Sequence, residues 1–210
     1  DEIVHGPTPN ELIELGYLVP DIHYRVKGVD LKGLRKNKKD FSESQMFQRF
    51  DSPKVYGDVV AEYKDKALGL KWMCFCVNII HCVRITKEFN NAGIKAKFVT
   101  SNLAKPERPE GEFPENLKDA SPEWVKYIEK KSQYDEYKAA FVEYSGDRKD
   151  ILRQHKEGVF GVLINAGILT TGYNDPSLEG GSIVRATTSV PLWLQMVGRF
   201  TRPCKTSGKT

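Results

Sequence analysis

From Lys71 onward the chain alternates short, continuous apolar runs with segments of helical spacing. Trp72-Met73-Cys74-Phe75-Cys76-Val77 is apolar throughout, the pattern of a strand buried on both faces. Asn78 follows as a helix cap, Ile79, Val83 and Phe89 recur at helical spacing, and Gly93 supplies a left-handed stop before Ile94 to Val99 turns extended. Ala139 to Tyr144 reads as the next strand, Asp147 to Lys156 as a capped helix ended by Gly158, and Phe160 to Ile164 as another buried strand. Ile183 to Ala186 is predicted extended, and Ser189 caps a helix from Val190 through about Gly198. Strands alternating with helices predict an α/β domain over 71–210, with a parallel sheet covered on both faces and ligands gathered at the carboxyl ends of its strands.

The pattern before Lys71 is less regular. Thr8, Pro9 and Glu11 form a helix start with a capping-box acid, and Gly16 ends it. Tyr17 to Val19 and Ile22 to Val26 read as extended, 27–40 as a basic loop, and Ser42 to Phe50 and Pro53 to Leu68 as helices, the second stopping at Gly69. Residues 1–70 are therefore assigned to a separate N-terminal segment. A second interruption, at about 101–137, holds four prolines, at 106, 109, 114 and 122, and is read as an insertion whose second half, from Ser121, forms a surface helix.

Composition narrows the class. The chain has 210 residues, enough to bury a core without disulfides or metals, and no apolar run approaches the ~20 residues that span a bilayer. It opens on Asp1 with no basic region leading into an apolar one, so a fragment without a signal peptide is expected. Cys74 and Cys76 are taken to point to opposite faces of their strand, and Cys74-x-Cys76 with His81 and Cys82 gives no zinc-ligand spacing, so no metal site is expected and a reducing, cytoplasmic setting is. Net charge is only +4, but Arg25, Lys27, Lys32, Arg35, Lys36, Lys38 and Lys39 cluster against Asp30 alone, and from Gly180 onward there are bases and no acids. A polyanion partner and a solvated loop both suit such patches.

The sharpest chemical feature is Gln195-Met196-Val197-Gly198-Arg199-Phe200-Thr201-Arg202-Pro203. If the helix runs that far, Gln195, Arg199 and Arg202 share one face at i, i+4 and i+7. Two forked guanidinium groups there suit a phosphoryl group gathering charge, although a helix end carrying two surface arginines is the plainer reading of the spacing.

The string resembles motif VI of superfamily 2 helicases. Leu169-Thr170-Thr171-Gly172-Tyr173-Asn174-Asp175-Pro176 is similar to motif V, Arg185-Ala186-Thr187-Thr188-Ser189 to the joining segment, Met73 to Phe89 to motif IV, and Tyr144-Ser145-Gly146-Asp147 to the strand end after it. The resemblance spans about 71–209 and is closest to RadD-type and type III restriction-type motors, with Glu11 to Pro20 resembling the end of a first lobe. It implies a RecA-like lobe of the P-loop NTPase fold that lacks its own P-loop. ATP and Mg²⁺ would be held mainly by a first lobe of the same polypeptide, with DNA ahead of RNA as substrate, a restriction or repair protein as further partner, and no membrane.

By that resemblance Arg202 and Arg199 approach the γ-phosphate, Arg202 as the better arginine finger, and Gln195 orients nucleotide or water. Gly172, Asn174 and Asp175 would meet the nucleotide, and Asn78, Thr170 and Thr171 the nucleic acid. One departure stands out, because Asn174 occupies a position where the family usually has Asp, and Asp175 lies beside it. Ser207-Gly208-Lys209-Thr210 imitates the tail of a phosphate loop, but Pro203 stands where the first glycine is required. A nucleic-acid binding module without nucleotide chemistry, and a structural domain with coincidental motifs, are the competing readings.

Overall fold

The computed structural model describes residues 6–24, 28–36, 40–101, 106, 109, 121–170, 172–204 and 209. Its elements are α1 (Pro9–Glu14), α2 (Glu43–Phe50), α3 (Pro53–Lys66), β1 (Trp72–Cys76), α4 (Ile79–Asn91), β2 (Ala96–Val99), α5 (Pro122–Tyr144), α6 (Arg148–Lys156), β3 (Val162–Asn165), β4 (Gly180–Val184) and α7 (Val190–Val197). The four strands form one parallel sheet in the order β2-β3-β1-β4, flanked by helices, which makes the fold α/β and consistent with a RecA-like lobe.

The uninterrupted apolar strands explain the layering, since a strand with no polar side has to be covered twice. One face, carrying Cys74, Cys76, Phe98, Val162 and Ile164, packs under α3, α4 and α5 with Phe89, Tyr63 and Val83. The other, carrying Met73, Phe75, Val99 and Leu163, packs against Ile151 of α6, Met196 of α7 and the chain between β3 and β4. Cys74 and Cys76 therefore share a face. Residues two apart on a strand must do so, and the expectation of opposite faces is corrected. Cys82 joins them as a third buried thiol, and burial pushes the Cys74 and Cys76 thiols well up, out of reactive range.

The predicted caps are present at Thr8, Asn78, Asp147 and Ser189, each accepting a backbone N–H of its helix's first turn. Three predictions differ from the structure. Ala139 to Tyr144 is no strand but the last turns of α5, because Tyr137, Ala140, Phe141 and Tyr144 recur three and four apart and lie against the α4 side of the sheet. The proposed insertion boundary at 137 thus falls inside a helix, whose docked half is tied to α4 by Arg84 Nη2 on Glu136 at 3.0 Å. β4 begins earlier than predicted, at Gly180 rather than Ile183, so that two glycines lie within the strand. Among the described residues, 17–24 make no strand. No described helix is long and apolar enough to cross a membrane.

One connection is unusual. Because β3 and β4 both run parallel to β1, residues 166–179 must return from the carboxyl edge of the sheet to its amino edge, and among the described residues they form no helix in doing so. Leu169, Tyr173 and Leu178 are their apolar contacts with the core.

Candidate functional site

The crossing from β3 to β4 has to satisfy its backbone without a ladder of its own. Asn165, fully buried where β3 ends, donates its amide to the Cys74 carbonyl at 3.1 Å and accepts the Leu169 N–H at 3.3 Å. The Thr170 hydroxyl donates to the Gly167 carbonyl at 3.1 Å. Arg199 then pins the middle of the crossing. Its Nη2 donates to the Thr170 carbonyl at 2.6 Å and its Nη1 to the Tyr173 carbonyl. Only 9% of Arg199 is exposed, and burial, followed by the nearby Arg202 charge, lowers its pKa.

The lower end of the crossing is held by a buried polar network. The Tyr173 hydroxyl donates to Asp175 at 3.0 Å and lies 3.2 Å from His155 Nδ1. Ser177 donates to the other Asp175 oxygen at 2.5 Å, and Lys71 Nζ donates to Ser177 at 2.7 Å. Burial opposes the Asp175 charge, but the Ser177 hydroxyl, Lys71, the Tyr173 hydroxyl and His155 outweigh it and leave the pKa below the usual range. Burial lowers His155 to about 4, so the imidazole is neutral near pH 7.

Arg199 and Arg202 are thereby separated. α7 stops at Val197, and tight bonds from Arg199 N to Met196 O and Phe200 N to Val197 O turn the chain. Gln195 is left outward and exposed, Arg199 points into the core, and Arg202 reaches Asn174. The single face expected for all three is corrected, because the helix ends before either arginine. The turn is fixed by Phe200, whose ring lies over β4 beside Phe75. A Cβ on Gly181 would stand 2.1 Å from that ring, which is why the strand carries glycine there.

Of the nucleotide candidates, Asn174 is exposed and accepts a hydrogen bond from Arg202, Asp175 turns inward, and Gly172 is exposed at φ +73°, a conformation that favours glycine. Of the nucleic-acid candidates, Asn78 spends its side-chain oxygen on the His81 N–H at 3.0 Å, Thr170 is buried, and Thr171 lies outside the described residues. Lys209, in the string resembling a phosphate loop, donates to the Leu178 carbonyl and lies 3.4 Å from that of Pro176. Among the described residues no group of three or more His, Cys, Asp or Glu side chains is gathered as a metal site.

Sequence reasoning missed Asn165, His155 and Asp40. The first had a signal, a polar residue closing an apolar strand. Asp40 stands at the end of the basic loop, where it accepts from Thr187 Oγ1 at 2.9 Å and the Thr188 N–H at 2.8 Å, with Arg185 Nη2 at 3.3 Å.

No protein-family model matches this chain. A "51.5 kDa protein" of Lactococcus phage (isolate 7-9) is 24% identical over 202 residues, taking in 96% of this chain and 36% of that protein. The chain thus spans about a third of the curated relative it matches.

Proposed function

We propose that this chain is the second motor lobe of an ATP-dependent nucleic-acid translocase or helicase of superfamily 2, acting in the cytoplasm and on DNA ahead of RNA. The observation that carries the reading is the division between the two arginines of the motif VI-like string. Arg199 is consumed inside the protein as the pin of the motif V-like crossing, which leaves Arg202 beside the exposed Asn174. A guanidinium held near an exposed, uncharged polar partner, rather than in a buried ion pair, can exchange that partner for a phosphoryl oxygen.

Exposed Gln195 and Asn174, with the half-buried Arg202 between solvent and core, fit contact with a triphosphate. No group of carboxylates accompanies them among the described residues, so Mg²⁺ and most of the nucleotide fall to a first RecA-like lobe of the same polypeptide. ATP supplies the transferable γ-phosphoryl group. Arg202 offsets the charge gathering on that group's oxygens, Gln195 orients the water or the nucleotide, and Asn174 holds Arg202 when the lobes are apart. Arg199 has a second task, carrying the position of α7 to the Thr170 carbonyl beyond the carboxyl end of β3, near which the nucleic acid would run.

The test is ATP hydrolysis by the full-length polypeptide, with and without DNA, beside this chain alone. Turnover stimulated by DNA in the full-length protein and near-silence in the isolated chain are expected. DNA binding with a steep salt dependence and no turnover would overturn the motor reading in favour of a binding module.

A further inference from the structure

The segment before the sheet touches the chain on both sides of α7, the helix that leads into the two arginines. At the amino end, Asp40 accepts the Thr187 hydroxyl at 2.9 Å and the Thr188 N–H at 2.8 Å, with Arg185 Nη2 at 3.3 Å. Thr187 in turn accepts the N–H of Ser189, the cap of α7, at 3.0 Å. At the carboxyl end, the buried Val19 donates its N–H to the Thr201 carbonyl at 2.8 Å, one residue before Arg202. Between these points His23 stacks on Trp193, with ring centroids 6.2 Å apart.

Asp40 is itself anchored. Lys36 and Phe41 form an antiparallel bridge, Ser42 N donates to the Arg35 carbonyl at 2.9 Å, and Arg35 N donates to Gln45 of α2 at 2.8 Å. Its side chain is only 20% exposed and that of Arg185 15%. Burial opposes the Asp40 charge, and the Thr188 and Phe41 amides, the Thr187 hydroxyl and Arg185 outweigh it. A carboxylate ringed by four donors fixes direction as well as distance, which a lone surface ion pair does not.

We propose that Asp40 is a positioning residue for α7 and the turn that follows it: together with the Val19 backbone it clasps the chain on both sides of α7, so that the N-terminal segment sets where Arg202 stands. This rests on the motor reading above and deepens it. Any segment arriving from a first lobe would then govern the finger through residues 19 and 40, and a shift of about 1 Å there would be felt in the chemical step rather than in nucleotide affinity.

The experiment compares wild type, Asp40→Ala, Asp40→Asn and Arg202→Ala in the full-length polypeptide. It measures DNA-stimulated kcat and KM for ATP, and amide hydrogen exchange over 187–203 against β1 and β3 as internal reference. Asp40→Ala is expected to lower kcat about 10- to 100-fold with KM within about twofold, and to raise exchange over 187–203 alone. Asp40→Asn, which keeps the acceptor for Thr188 but loses the charge facing Arg185, should fall between. Unchanged exchange in Asp40→Ala overturns the clasp. Raised exchange with unchanged kcat, while Arg202→Ala abolishes turnover, overturns the positioning role and leaves the motor reading standing. Full turnover in Arg202→Ala removes the motor reading, and the positioning role with it. Exchange rising equally in β1 and β3 marks general destabilisation and also counts against the proposal.

Discussion

The two faces of the sheet are built on different physics. Under α3, α4 and α5 the contacts are apolar and aromatic, Phe89 against Tyr63 and Tyr137 against Phe98, and stability there scales with area removed from water. On the other face the crossing is held by directed hydrogen bonds that Arg199 donates, that Asn165 donates and accepts, and that Asp175 accepts from the Tyr173 hydroxyl. The first arrangement tolerates repacking and resists motion. The second keeps its shape only while each donor stays with its acceptor, so it can be reset by small displacements of α7.

That contrast can be broken from either side. The largest effect is expected at Phe89→Ala on the apolar face, a loss of about 3–5 kcal/mol in denaturant unfolding, spread over the whole molecule. Acid should act next. His155 lies at about 4 and His81 at about 3, both lowered first by burial. A depressed folded pKa means that the unfolded chain takes the proton first. The stability from His155 is therefore complete above the unfolded value near 6.5 and drains as pH falls toward 4, by about 3 kcal/mol. Midpoints flat between pH 7 and 4 would contradict this, and His155→Phe should remove part of the slope.

Arg199→Leu comes third. It leaves the Thr170 and Tyr173 carbonyls without donors and should cost about 2–3 kcal/mol, with hydrogen exchange rising over 166–179 before it rises in α4. Arg199→Lys should rescue little, because one ammonium cannot replace a fork that serves two carbonyls. Equal exchange in both regions would erase the proposed difference between the faces. The smallest stability effect belongs to Arg202→Ala, within about 0.5 kcal/mol, because its partner Asn174 is exposed.

The same contrast decides what could be read in advance. Burial patterns live in the sequence, so β1, α4, α6 and β3 were legible from apolar runs, caps and glycine stops. Ala139 to Tyr144 misled because a short apolar stretch fits both periods, and only the fixed neighbours Phe98 and α4 select the helix. The start of β4 at Gly180 and Gly181 was not legible, since the reason for those glycines is Trp72 and Phe200, distant in sequence.

In the candidate site, the string from Gln195 to Arg202 was legible as a unit but not the opposite fates of its arginines. Those depend on where α7 stops and on carbonyls about thirty residues away in the chain. Asp40 gave no local signal, because its partners at 185–188 share no periodicity with it.

The most direct measurement is the DNA-stimulated turnover of the full-length polypeptide carrying Arg202→Ala, with ATP affinity and melting temperature taken on the same sample. A fall of about 10³-fold or more is predicted, with affinity and melting temperature near wild type. Turnover equal to wild type would contradict the assignment of Arg202 to the nucleotide and with it the division of labour between the two arginines.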